Sequence, residues 1–287
     1  DHVPPEMTER LGDVSLPTMS LEARRDAPLR PADEPLAVVF FSHGFGGFRS
    51  QSPDICDHLA SRGYVVVSVD HPGRMMPDLL PCLFNPPLEG CDLGALGEDA
   101  STDQIRAAVT WVEEAADDPS SFLYRRIDPR NRGAFGHSAG GMTLSGLRDE
   151  DGFSALLPMA AGMPMSSGAP TLFMSGECDA IITDAQVSAG WEQTEGANFL
   201  RIRDAGHLAF SDLCELDLGT FANEHLFPRD DLNALFVQQL VGLGTDGCPG
   251  ITPPPSACAN PYGDLDQAQR VVRHYATGHF DRHLRGR

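Results

Sequence analysis

The sequence predicts an α/β fold, with a mostly parallel central sheet and helices on both faces. Two observations carry that expectation. Short continuous apolar runs alternate with stretches of helical periodicity, and Ser, Asp and His stand in that order, each after a predicted strand. The 287 residues suit one large domain. We expect a single domain over 1–287, with an insertion at 211–262 before the closing helix.

The elements follow in order. Residues 1–35 are polar and Pro-rich, with short apolar runs at Val14–Leu16 and Met19–Leu21 that suggest one or two edge strands. Leu36-Ala-Val-Val-Phe-Phe41 has the continuous apolar character of a strand buried on both sides. Ser52 to Arg62 puts Ile55, Leu59 and Ala60 on one helical face, with Gly63 as the stop signal. Tyr64–Val69 reads as the next buried strand. Residues 71–98 read as loop, on Pro72, Pro77, Pro81, Pro86 and Pro87. Asp99–Ala116 is amphipathic. Asp128-Pro129 reads as a turn before a short strand at Gly133–Phe135, and Met142–Leu147 as a helix. Phe153–Leu157, Thr171–Met174 and Asn198–Ile202 read as further strands. Leu232–Leu243 and Asp266–Leu284 read as helices, with a stiff connector at Pro253–Pro255.

The run Gly136-His137-Ser138-Ala139-Gly140 has the pattern Gly-x-Ser-x-Gly. A sharp strand-to-helix turn of this kind projects a serine hydroxyl clear of the backbone beside ready N–H donors. The pattern alone is weak in a Gly-rich chain, and its plain alternative is a helix-packing turn. Its partners strengthen it. Ser138, Asp179 and His207 each follow a predicted strand and should meet at the C-terminal edge of one parallel sheet. That order supports a nucleophile, an orienting acid and a general base. Glu177 and Asp184 compete with Asp179 for the acid; Asp179 comes soonest after its strand among small neighbours. His58 and His225 are expected to face solvent. His43-Gly44-Phe45-Gly46-Gly47 follows the first strand and can offer backbone N–H groups to an oxyanion, those of Phe45 and Ala139. A phosphate loop is disfavoured, since there is no GxxxxGK[ST] and no lysine. Phe45, Phe48 and His137 are the expected substrate-facing residues.

Phe41-Ser-His-Gly-Phe-Gly-Gly-Phe-Arg-Ser50, Leu59-Ala-Ser-Arg-Gly-Tyr-Val-Val-Val67, Asp128 to Gly141 and Ala205-Gly-His-Leu-Ala-Phe210 together resemble the plasma-type platelet-activating-factor acetylhydrolase family. The likeness extends to bacterial relatives of the dienelactone-hydrolase-like and polyester-hydrolase-like kind. It implies an α/β-hydrolase fold and a serine carboxylester hydrolase working without a cofactor or metal. Three departures stand out. The acetylhydrolases carry their acid after the strand that here ends near Leu157, where this chain has Pro158-Met-Ala-Ala-Gly-Met-Pro164. Cutinase-type polyester hydrolases place a Trp in that stretch. Residues 211–262 look inserted. The expected substrate is a small-molecule or polymeric ester, with short to medium acyl groups favoured over polyester or phospholipid. A hydrolase-fold binding protein without catalysis is the non-enzyme alternative.

Composition narrows the partners. With 21 basic and 41 acidic residues the formal charge is -20, which disfavours nucleic acid and anionic membranes. No run approaches the roughly 18 apolar residues of a membrane span, and no HExxH or clustered ligand set suggests a metal. A monomer is favoured. Seven cysteines occur, none in a CxxC pair. Cys82 and Cys91 bracket one irregular loop and Cys248 and Cys258 another, which suggests disulfides and an exported protein, secreted or periplasmic. A Cys178–Cys214 bond would leave Cys56 free. The first residue, Asp1, is consistent with a removed signal peptide.

Overall fold

Strand β1, Leu36–Ser42, is buried almost throughout. Val38 and Phe40 turn to one face of the sheet, and Ala37, Val39 and Phe41 to the other. A strand covered on both faces needs apolar side chains at every position, so no alternation shows in its sequence. The computed structural model describes residues 31–84, 100–216 and 265–286, together with 9, 12, 18, 19, 21, 23–29, 87, 89, 91, 224, 225, 229, 230, 232 and 233.

Around β1 lie β2 (Val65–Val69), β3 (Ile127–His137), β4 (Ala155–Met159), β5 (Leu172–Gly176) and β6 (Asn198–Ile202). The sheet order is β2-β1-β3-β4-β5-β6, and every pair is parallel. Parallel neighbours need crossovers. The helices are α1 (Pro53–Ser61) between β1 and β2, α2 (Met76–Leu79) and α3 (Ser101–Asp117) between β2 and β3, α4 (Ala139–Thr143) between β3 and β4, α5 (Asp184–Glu192) between β5 and β6, and α6 (Leu265–Leu284) after the last strand. On one face, Ile55 and Leu59 of α1 and Val272, Ala276 and Phe280 of α6 pack with Val39, Phe41 and Phe135. On the other, Ile105, Val109 and Val112 of α3 and Val187 of α5 pack with Val38, Phe40 and Phe173. This is the α/β-hydrolase arrangement expected from the sequence.

Several details differ from the sequence reading. Asp128-Pro129 lies inside β3, where the register jumps between Ala37↔Asp128 and Val38↔Arg132. An irregularity of this kind accommodates a proline that a regular central ladder would not. The stretch read as loop holds α2 and a 3-10 turn at Leu80–Leu83, because proline is tolerated in a first helical turn. His58 is half-buried, bonded through Nε2 to Thr277 Oγ1 at 3.1 Å. No strand precedes Leu36 among the described residues. Val14–Leu16, Pro253–Pro255 and all but the first two residues of the Leu232–Leu243 helix lie outside them; Leu232 forms an antiparallel bridge with Phe84. Cys82 and Cys91 are disulfide-bonded, Cys178 and Cys214 are oxidised as disulfides, and Cys56 is free. Cys248 and Cys258 lie outside the described residues. Among the described residues, no helix is long and apolar enough to cross a membrane.

Candidate active site

Strand β3 ends at His137 and α4 begins at Ala139, so Ser138 alone makes the turn. Its backbone is left-handed, with φ 55° and ψ -123°. Such a conformation costs a non-glycine residue about 1–3 kcal/mol and persists only where its surroundings hold it. They do so through close approach. A Cβ on Gly136 would stand 2.3 Å from Gly140 O, and one on Gly140 would stand 2.0 Å from Ser42 O. Both glycines of the motif are therefore required sterically. Ser138 N–H donates to Met159 O at 2.9 Å, and Ser138 O accepts from Met142 N–H at 3.0 Å.

Asp179 follows β5 and His207 follows β6, the adjacent strand. The two loops are joined by their backbones: Glu177 N–H donates to Ile202 O at 3.0 Å and Cys178 N–H to Ala205 O at 2.9 Å. His207 Nδ1–H donates to Asp179 Oδ2 at 2.8 Å. The other carboxylate oxygen accepts from Ile181 N–H at 2.9 Å and Ile182 N–H at 2.7 Å. Both side chains are buried. The carboxylate thus fixes the ring's tautomer, and the neutral imidazole carries its lone pair on Nε2. The competing carboxylates are engaged elsewhere. Asp184 bonds Ser175 Oγ and both Nε and Nη2 of Arg201, and Glu177 accepts from Asp204 N–H.

The loop after β1 has two successive peptide planes held at defined atoms. In the His43–Gly44 peptide, the carbonyl accepts from Arg74 Nη2 at 3.0 Å and the N–H donates to Gln51 Oε1 at 2.8 Å. In the Gly44–Phe45 peptide, the carbonyl accepts from His43 Nδ1 at 2.8 Å and from Gly47 N–H at 3.1 Å. The N–H of that second plane belongs to Phe45 and points away from the held carbonyl, as in any trans peptide. Among the described residues, neither Phe45 N–H nor Ala139 N–H is spent on a bond within the protein. His43 Nε2 accepts from His71 N–H at 3.1 Å, so its ring must be neutral. Burial enforces this, pushing its pKa down to about 4.

Arg74 was not singled out from the sequence. Its guanidinium is buried behind the loop and bonds Ser42 Oγ and His43 O on one side, and Thr143 Oγ1 and Ala139 O on the other. It clamps the β1 loop to α4. Gln51 was also missed. Neither belongs to a recognisable spacing, and their roles arise from contacts across the fold.

Of the expected substrate-facing residues, Phe45 is 42% exposed and Phe48 is half-buried. His137 is turned inward, which corrects its grouping with them. It is 2% exposed, accepts from Gln51 Nε2 at Nδ1 (2.7 Å) and donates from Nε2 to His207 O (2.9 Å), leaving no ring nitrogen for a substrate. On the far side of Ser138, the loop after β4 exposes Met163. Among the described residues, no group of His, Cys, Asp and Glu could hold a metal.

Comparison with known proteins agrees with this architecture. Residues 3–75 match the family model for platelet-activating factor acetylhydrolase, isoform II. A platelet-activating factor acetylhydrolase from Gallus gallus is 38% identical over 64 residues, 22% of this chain and 15% of that protein. The chain therefore spans a small part of that relative. The structure of a ferulic acid esterase from Streptomyces cinnamoneus is similar over 90% of this chain and 70% of its own, with 25% identity and a TM-score of 0.55. The chain is an α/β-hydrolase by fold. The findings together fit a serine esterase of that fold.

Proposed function

We propose that this protein is a serine carboxylic-ester hydrolase. The observation that carries the reading is the buried Asp179–His207 bond at 2.8 Å, in loops after β5 and β6 that leave the same edge of the parallel sheet as the Ser138 turn after β3. Ser138 Oγ attacks the ester carbonyl while His207 Nε2 takes its proton. The developing oxyanion accepts the N–H groups of Phe45 and Ala139. His207 then gives the proton to the leaving alcohol, and water releases the acyl group by the reverse sequence. Asp179 keeps the ring oriented and balances the imidazolium. No step needs a cofactor.

The substrate lies against Phe45 and Phe48, and short to medium acyl chains suit it best. We read the chain as one domain with an insertion at 211–262, exported from the cytoplasm; the oxidised state of Cys82, Cys91, Cys178 and Cys214 supports export. The test is hydrolysis of p-nitrophenyl acetate and butyrate together with labelling by a serine-directed phosphonate. Turnover, and a phosphonate adduct on the peptide containing Ser138, are expected; Ser138→Ala abolishes both. A folded Ser138→Ala with near-native turnover refutes the reading.

A further inference from the structure

Gln51 is the point at which three parts of this site meet. It closes the loop between β1 and α1 and is 1% exposed. Its Oε1 accepts from Gly44 N–H at 2.8 Å, and its Nε2 donates to His137 Nδ1 at 2.7 Å. Its backbone carbonyl accepts from Asp212 N–H at 3.1 Å, in the segment that follows His207. A carboxamide offers an acceptor and a donor side by side without carrying charge. That is what this place needs, because a backbone N–H faces one end of it and an imidazole lone pair the other.

The donor at Nε2 also decides the state of His137. With Nδ1 accepting, the ring's proton sits on Nε2 and goes to the backbone carbonyl of His207. Burial holds this ring neutral, well below the usual histidine range. An unbroken chain of hydrogen bonds therefore runs from Gly44 N–H through Gln51 and His137 to the backbone of His207. Space for the amide is reserved by Gly47, where a Cβ would lie 2.0 Å from Gln51 Oε1.

We propose that Gln51 is a positioning residue, whose amide sets the oxyanion loop and the base His207 in register across the buried ring of His137. The proposal rests on the esterase reading above. Gln51 touches no substrate. It acts on the peptide that precedes the Phe45 donor and on the loop that holds the base. An oxyanion donor must lie about 2.7–3.1 Å from its target, and a misplacement of about 1 Å can cost about a hundredfold in rate.

Gln51→Met removes both bonds at similar length. The expected result on p-nitrophenyl butyrate is a kcat lower by about 10- to 100-fold with KM within about threefold, since the oxyanion bond forms only in the transition state. A folded Gln51→Met with unchanged kcat overturns the proposal. Gln51→Glu gives a readout that a purely structural role would not move. One carboxylate oxygen still accepts from Gly44 N–H, but the other meets His137 Nδ1. The contact is favourable only while a proton lies between the two, on Nδ1 or on the carboxyl. Activity of Gln51→Glu should therefore fall as pH rises through the loss of that shared proton, an ionisation the wild-type pair does not have. The groups facing His137 are the His207 ring, centred 4.7 Å away, and the Phe210 ring. A Gln51→Glu profile parallel to the wild type, at any level, overturns the proposal. Side-chain ¹⁵N spectra should show His137 protonated at Nε2 alone in the wild type, and in Gln51→Glu at low pH an Nδ1 shift that reports a proton shared with the new carboxyl. Wild-type protein that neither turns over ester nor takes the phosphonate at Ser138 brings down the esterase reading itself. Labelled wild type with unaffected Gln51 variants brings down only the role of Gln51.

Discussion

Asp212 caps helix α1 across 158 residues of sequence: its Oδ2 accepts the N–H of Asp54 at 2.8 Å. The local N-cap residue, Ser52, makes no side-chain capping bond of its own. The cap is thus supplied by the segment that follows His207. Its other oxygen accepts from Gln269 Nε2 at 3.1 Å, and Asp54 in turn pairs with Arg273.

This placement makes stability depend on pH. Burial raises the Asp212 pKa from 3.8 to about 6, against the pull of the Asp54 N–H and with help from the Asp54 and Glu215 carboxylates. Between those values the folded chain holds a proton that the unfolded chain has lost. The contribution is complete below 3.8 and disappears as pH rises through about 6. Asp212→Asn keeps an acceptor for Asp54 N–H and cannot ionise. Relative to wild type it should gain on the order of 2 kcal/mol between pH 4 and pH 7.5, read from urea midpoints at the two values. A difference that does not change with pH contradicts this.

The two neighbouring aspartates should separate cleanly. Asp179→Asn should lower kcat by about 10³- to 10⁴-fold, because the imidazole loses its tautomer control. Asp184→Asn should leave kcat within a few fold and cost about 1 kcal/mol of stability, since its pairing with Arg201 is partly exposed. Steady-state kinetics and thermal melts of both variants decide; the reverse ranking would mean that the acid has been misassigned.

Thiol chemistry tests the oxidised state. One thiol, that of Cys56, should titrate in denaturant without reductant. In the native protein it should react slowly, as burial pushes its pKa upward. Seven thiols would refute the disulfides and the exported reading together. Peptide mapping of the oxidised chain assigns the partners of Cys178 and Cys214.

Acyl preference is the last expectation. No substantial apolar lid lies between β4 and β5, where the chain is short and rich in Pro, Gly and Met. Activity on a graded ester series should peak on short, soluble substrates. The series includes a ferulate ester, a phospholipid and an insoluble polyester, so that each substrate class is measured directly. A sharp rise above the solubility limit of a long-chain ester would contradict the expectation and point to a segment that opens at an interface.

Much of the architecture was legible because it is written locally. The apolar run at Leu36–Phe41 became a buried strand, Asn198–Ile202 became another strand, and the order of Ser138, Asp179 and His207 followed the strand ends. What escaped was set by distance or by faint local signals. Helix α5 buries only Val187 and Gly190, so its apolar stripe is faint, although Thr183 and Gln186 form a capping box. Gln51 meets His137 86 residues away, and Arg74 reaches Thr143 69 residues away. No spacing rule joins such pairs. The inward turn of His137 depends on the same long-range contact, which is why its motif position suggested a substrate-facing role.

The bond between Gln269 and Asp212 has a further consequence. With Gln269 Nε2 also on Ser211 O at 3.3 Å, the chain leaving the catalytic edge and the helix that brings it back are clasped together. Asp212 and Gln269 are thus fastened to one another across 57 residues of sequence. The entropy of closing a loop grows only slowly with its length, by about 0.6 kcal/mol per doubling. Changes in the length of chain between two clasped residues therefore cost little, and the clasp keeps them from reaching the histidine a few residues upstream.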